Sequence, residues 1–346
     1  MREHPDGHPD GAPAASPGDT AAATAPRPRP GVSARHRVRA WAELLRLPAL
    51  FTVPGDALAG AAATGARPTS RTLLATASSL CLYEAGMALN DWADRAVDAV
   101  ERPHRPLPSG RIRPAAALTA AGALTGAGLA LAARAGRPAL AVAAPLAATV
   151  WAYDLGLKRT PAGPLAMGTA RSLDLLLGAA ATTGRARDAL PSAALLGTHT
   201  LAVTTVSRQE AQGGSPLPLL AALATTALLT RLVTRRPGTP ADGRRPAAAH
   251  ARTGLLPVAG SPGFDTAALL TTALGAAYAT TTAGPYVHAT LNPSSPLTQR
   301  AVGAGIRATI PLQATLTARS RDTATALLIT ALAPLGARFA KKVSVT

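Results

Sequence analysis

The sequence predicts an all-α integral membrane protein, a bundle of nine or ten transmembrane helices. Three observations predict it. Apolar residues make up 47% of the 346-residue chain and charged residues only 15%, where a soluble domain carries about 25% charge. The charges are unevenly spread: residues 139–152 and 217–230 contain no Asp, Glu, Lys or Arg. Apolar stretches also recur at about the 20-residue length that a bilayer core demands. A soluble enzyme with a wet surface all round is excluded. The mean hydropathy of +0.17 is low for a membrane protein, because a polar N-terminal tail and Ala in place of Leu pull it down.

Residues 1–38 hold seven prolines among Ala, Gly, Asp and Arg. That composition buries too little apolar surface to fold, so a disordered tail is expected. It has no charged start followed by an apolar run, so it does not read as a signal peptide. Its basic end, Arg35-His-Arg-Val-Arg39, precedes the first apolar segment and places the N-terminus on the cytoplasmic side. Residues 39–346 read as one transmembrane domain. Its apolar segments fall at 41–64, 71–91, 114–133, 138–155, 163–183, 190–207, 216–234, 264–283, 299–318 and 323–340. Pro48 and Pro54 interrupt the first, and Arg307 and Pro311 the ninth, hence nine or ten spans. With the N-terminus inside, the loops at 92–113 and 156–162 are also inside. They carry Arg95, Arg102, Arg105, Arg111 and Arg113, then Lys158 and Arg159. The loop at 235–263 runs against this orientation, with five Arg on the outer side.

The net charge is +17, from 35 Lys and Arg against 18 Asp and Glu. A nucleic-acid surface would cluster its basic residues and interleave aromatics. Here Arg sits at the ends of apolar segments and aromatics are 3%, so the charge reads as membrane-flanking and nucleic acid is excluded as a partner. A single cysteine, Cys81, allows no internal disulfide, and the seven histidines are dispersed, so no zinc constellation exists.

The stretch that carries chemistry is Asn90-Asp-Trp-Ala-Asp-Arg-Ala-Val-Asp98, followed by Arg102-Pro-His-Arg-Pro-Leu-Pro-Ser-Gly110. On one helix, Asp91, Asp94 and Asp98 fall within about 60° of each other. Three carboxylates on one face repel unless a cation lies between them. Mg2+ takes oxygen ligands and bridges carboxylates to phosphates. Glu84 would extend the stripe. Charges at a membrane boundary cost free energy and mark function; the plainer reading is a solvated helix end. Arg102 and Arg105 can address phosphate oxygens from a proline-stiffened loop, or simply mark a cytoplasmic loop.

These motifs resemble the UbiA superfamily of intramembrane prenyltransferases, over most of residues 40–340. Leu45-Arg46-Leu-Pro48 with Pro54-Gly-Asp56 looks like its first helix. Tyr153-Asp-Leu-Gly-Leu-Lys158-Arg159 resembles its Tyr…Lys-Arg motif. The resemblance implies a helical bundle around a central cavity, in which two acidic motifs hold a prenyl diphosphate through Mg2+. It implies metal ligands at Asp91, Asp94 and Asp98, with Asn90 beside them. It gives Lys158 to the diphosphate, with Tyr153 as a further substrate contact. The second acidic motif departs from the family. Ser207-Arg-Gln-Glu210-Ala-Gln-Gly-Gly214 offers Glu210 alone, and with Met167-Gly-Thr-Ala-Arg171-Ser-Leu it looks like the EboC-like branch. Arg171 either pairs with Asp174 or contacts diphosphate. Tyr83, Trp92, Trp151 and Tyr153 are candidates to shield a carbocation.

The expected activity is Mg2+-dependent transfer of a prenyl group to a lipophilic or aromatic acceptor within the membrane, with Asp91, Asp94, Lys158 and Glu210 carrying it. The alternatives are a transport accessory protein, which would spread polar residues across the full bilayer depth, and a UbiA-fold protein that only binds a lipid diphosphate.

Overall fold

A computed structural model describes residues 34–209, 215–235 and 265–343. Among them there are twelve α-helices and no strand: α1 Ala34–Leu44, α2 Pro54–Ala63, α3 Ser70–Ala93, α4 Arg95–Glu101, α5 Pro114–Ala135, α6 Arg137–Leu155, α7 Gly163–Thr183, α8 Leu190–Ser207, α9 Leu217–Thr234, α10 Thr266–Leu291, α11 Ser295–Arg319 and α12 Thr323–Val343. Five of these, α3, α5, α6, α9 and α8 with the turn before it, are long and apolar enough to cross a membrane. The chain is therefore an all-helical, multi-pass membrane protein. α7, α10 and α11 have the length as well; α7 and α11 carry charged side chains and α10 is rich in threonine. α2 and α12 appear only among shorter apolar helices.

The starts and stops have local causes. Proline occupies the first turn of α2, α5, α6, α7, α8, α9 and α11, where its missing N–H is no loss. Thr69 caps α3 in a reciprocal capping box with Thr72, and Asp265 caps α10 by accepting from the Ala268 amide. Gly184 ends α7 at φ 75°. Many threonine hydroxyls donate to the carbonyl four residues back, as Thr149 does to Pro145 at 2.7 Å, so these hydroxyls are satisfied without leaving their own helix.

Two expectations about the ends of helices change. The first apolar segment is not one span. It divides into α1, a 3-10 turn at Leu47–Thr52 and α2, with Arg46 in left-handed conformation at the first break. α1 also begins at Ala34, inside the expected tail, because Ala40 and Leu44 bury themselves against Leu89, Leu107 and Ala117. The loop at 92–113 contains α4.

α2, α7, α8 and α11 form the centre, with α3, α5 and α6 against one side of α7 and α9, α10 and α12 against α11. Small residues permit this. A Cβ added at Gly178 would overlap the Ala57 carbonyl of α2, and one at Gly60 the Leu175 carbonyl of α7. Backbones this close need glycine on both sides, as in other membrane helix pairs. Gly178→Ala is therefore expected to separate α2 from α7 and cost ~1–3 kcal/mol, the usual range for overpacking. A melting temperature in detergent equal to wild type would refute that.

Candidate active site

Three helices turn a side-chain stripe towards one space, each with the three-and-four spacing of a helix face. α3 presents Ser79, Leu82, Tyr83, Gly86, Met87 and Asn90; α6 presents Leu146, Val150, Tyr153 and Asp154; α7 presents Met167, Ala170, Arg171 and Asp174. With Arg46 they enclose a cavity of about 250 Å³. Its deep end is buried and polar: Ser79 donates to Asp174 Oδ1 at 2.5 Å. Its middle is apolar. Its open end lies where α3 and α6 finish, among partly exposed charges.

At that open end the carboxylates are held apart by cations, of which Arg105 and Lys158 each serve two. Asp91 Oδ1 lies 3.1 Å from Arg46 Nη2 and 3.6 Å from Arg105 Nη1. Arg105 Nη1 is closer to Asp98, at 2.8 Å, and Arg102 reaches the other Asp98 oxygen at 3.6 Å. Asp94 accepts from Lys158 Nζ at 2.8 Å and from Arg159 Nη2 at 3.2 Å. Lys158 also donates to Asn90 Oδ1 at 3.0 Å and lies 3.8 Å from Asp154. Asp91, Asp98 and Asp154 are all buried, and buried charges persist only when paired. Four carboxylates thus face five cations, a slightly positive mouth that suits a diphosphate. The cause of the separation is local. Asp94 sits at φ −90°, ψ 3° between α3 and α4, so Asp98 belongs to a different helix from Asp91. The single acidic face expected of one continuous helix does not form, and no group of three or more His, Cys, Asp or Glu side chains converges among the described residues.

The other expectations sort clearly. Asn90, Tyr153 and Arg171 line the cavity, and Tyr83 joins them; Trp92 and Trp151 do not. Trp151 instead donates to Thr125 at 3.0 Å, and Trp92 stacks under Arg95. Glu84 is buried away from the cavity lining, with neither oxygen hydrogen-bonded. Arg171 does not pair with Asp174. Its Nε lies 2.9 Å from Asp56 and its Nη2 donates to the Thr52 carbonyl at 2.8 Å. Gln313 donates to the same two groups. Glu210 lies outside the described residues; neighbouring Arg208 donates to the Thr160 carbonyl. Asp154 had no assigned role, although its position four residues before Lys158 was a signal.

Oxygen donors alone, from Asp91, Asp94 and Asn90, suit a hard divalent cation that takes one or two carboxylates and completes its shell with water and phosphate. Because Asp91 is 4% exposed and shared by two guanidinium groups, Asp91→Asn should lower metal-free stability by ~1–3 kcal/mol, despite relieving acid–acid repulsion. A melting temperature that holds or rises would contradict the pairing.

The fold and site together define a helical membrane bundle in which a charged mouth opens onto an apolar cavity. Residues 49–234 match the UbiA prenyltransferase family, and the chain belongs to that family. It is 36% identical over 129 residues to digeranylgeranylglyceryl phosphate synthase of Methanopyrus kandleri, covering 36% of this chain and 46% of that one. It is 34% identical over 152 residues to the protein so named in Ignicoccus hospitalis, covering 44% and 50%. The chain thus spans about half the length of these relatives. Among solved structures, a UbiA homolog from Aeropyrum pernix aligns with TM-score 0.56 at 19% identity, over 77% of this chain and 96% of that one. A UbiA homolog from Archaeoglobus fulgidus bound to DMAPP and Mg2+ aligns with TM-score 0.51 at 16% identity, over 79% and 98%. These likenesses establish the fold.

Proposed function

We propose that this protein transfers a prenyl group from a prenyl diphosphate to a lipophilic or aromatic acceptor within the membrane. The observation that carries the reading is the cavity itself: an end lined by Arg46, Asn90 and Asp154, beside which Lys158 and Arg159 pair with Asp94 and Arg46 with Asp91, opening onto a wall of Leu82, Met87, Leu146, Val150 and Met167. The diphosphate would sit at the mouth and the prenyl chain along the wall. Lys158 offers a point charge and Arg159 a planar fork to the phosphate oxygens. Asp91 and Asp94 would hold Mg2+, with Asn90 alongside, and the ion when bound neutralises charge on the departing diphosphate. Asp98, turned towards Arg102 and Arg105, positions those guanidinium groups rather than a metal. Glu210 remains the proposed second-motif ligand. Breaking the C–O bond leaves an allylic cation, and Tyr83 and Tyr153, which line the cavity, would supply aromatic rings to stabilise it. The apolar wall keeps water from capturing it before the acceptor does. The mouth is proposed to face the cytoplasm, from the basic residues of the two loops that frame it.

The test incubates the detergent-purified protein with labelled prenyl diphosphates of several lengths, with Mg2+ or EDTA. Mg2+-dependent diphosphate release is expected when an acceptor is present. Tight binding with no release under any acceptor would replace this reading by a lipid-diphosphate binder.

A further inference from the structure

The prenyl-transfer reading places Arg46 at the cavity mouth but leaves its backbone conformation and its exposure unused. Its backbone, at φ 47° and ψ 46°, occupies the left-handed region that residues bearing a Cβ rarely enter and that often marks a ligand site. That conformation ends α1 and aims the side chain across the cavity mouth, where Nη2 lies 3.1 Å from Asp91 Oδ1. The neighbouring cations are tied to other groups: Arg105 lies closer to Asp98, and Lys158 is held by Asp94 and Asn90. Arg46 thus covers Oδ1 of Asp91, one of the two carboxylate oxygens that a divalent cation could take. Its own side chain is 41% exposed, against 6% for that of Asp91, so the guanidinium has open space beside it into which to turn and the carboxylate does not.

We propose that Arg46 is a counter-ion latch. It neutralises Asp91 in the resting protein and transfers to diphosphate oxygens when substrate enters, leaving Asp91 open to the cation. The proposal rests on the prenyl diphosphate reading of this site. A guanidinium fork fits carboxylate and phosphate alike, and a diphosphate carries more charge than one carboxylate, so the exchange runs towards substrate. The latch makes cation and diphosphate binding mutually dependent, each raising the other's affinity by the same factor.

The experiment titrates the full-length protein in detergent with Mn2+ alone, inorganic pyrophosphate alone, and each in the presence of the other, by calorimetry. In the wild type, pyrophosphate should tighten Mn2+ binding at least tenfold. Arg46→Gly suits the backbone at this φ but leaves the buried Asp91 with Arg105 as its remaining cation, so its melting temperature should fall no further than that of Asp91→Asn. In it Mn2+ alone should bind roughly ten- to a hundredfold tighter, and pyrophosphate alone weaker by a similar factor, the span of one hydrogen bond to a charged group. Their mutual dependence should shrink. Arg46→Lys, which keeps charge but not the fork, should fall between. Wild-type affinity for either probe in Arg46→Gly overturns the latch. If the glycine variant does not fold, unchanged binding of both probes in Arg46→Lys overturns it. A wild-type protein that binds neither probe overturns the diphosphate site as well, whereas one that binds both with unaltered variants removes the latch alone.

Discussion

Asp94→Asn is expected to lower turnover by about 100- to 1000-fold, the range for losing one preorganised electrostatic group, while leaving the fold intact. Asp94 occupies the break between α3 and α4. Its two oxygens face different cations, Lys158 at 2.8 Å and Arg159 at 3.2 Å. The asparagine keeps the shape and tolerates the same backbone, since the Asp94 side chain makes no capping hydrogen bond. Its side chain is 26% exposed, and ion pairs in reach of water are worth ~0–1 kcal/mol, so the melting temperature should scarcely move. Turnover is different. If Asp94 helps hold a cation against charge that grows as diphosphate leaves, kcat and kcat/KM should fall together. Diphosphate release and thermal melting on the same preparation check both halves. Turnover at the wild-type rate would reduce Asp94 to a partner of Lys158, and a large loss of melting temperature would make it a structural residue.

Such a division between catalysis and stability was only partly legible in the sequence. Helix ends were legible where punctuation was strong. The segments expected at 163–183 and 190–207 coincide with α7 and α8, because Gly163-Pro164 and Pro191 open them and Gly184 closes the first. The charged stretch at 90–98 was legible as a site because acids at the end of an apolar helix are costly without a purpose. Its geometry was not. Asp94, in the turn between α3 and α4, pairs with Lys158 and Arg159, far along the chain, and local spacing carries no trace of those partners. Local spacing could have offered the Asp154–Lys158 and Asp98–Arg102 neighbours, four residues apart, although neither was expected as a pair. It had no means of choosing among distant partners. Arg171 shows this best: Asp174, one helical turn away, was the local candidate, yet the guanidinium turns to Asp56 on another helix.

Arg171→Met is accordingly expected to be the most destabilising of these substitutions, by ~3–5 kcal/mol, the cost of breaking a buried ion pair from one side. Asp56 is fully buried and the Arg171 side chain is 14% exposed. Through Nε and Nη2, Arg171 fastens α7 to both Asp56 and the Thr52 carbonyl, and Gln313 reaches the same pair from α11. The broken first segment is therefore held in place at its break by two helices. Removing Arg171 leaves the fully buried Asp56 carboxylate beside that of Asp174 without its cation. Methionine roughly fills the volume, so the loss reports charge and hydrogen bonding more than a cavity. The double variant Asp56→Asn with Arg171→Met should recover part of it, since both charges are then gone; a coupling of ~0.5–3 kcal/mol is usual for contacting residues. Chemical unfolding in detergent measures the cycle. The sequence also allowed Arg171 to contact diphosphate, and the same variants decide between the roles. A tie between helices predicts lower stability, with pyrophosphate affinity close to wild type at temperatures where the variant stays folded. Unchanged stability with pyrophosphate affinity reduced tenfold or more would return Arg171 to the substrate and leave Gln313 alone to hold Asp56.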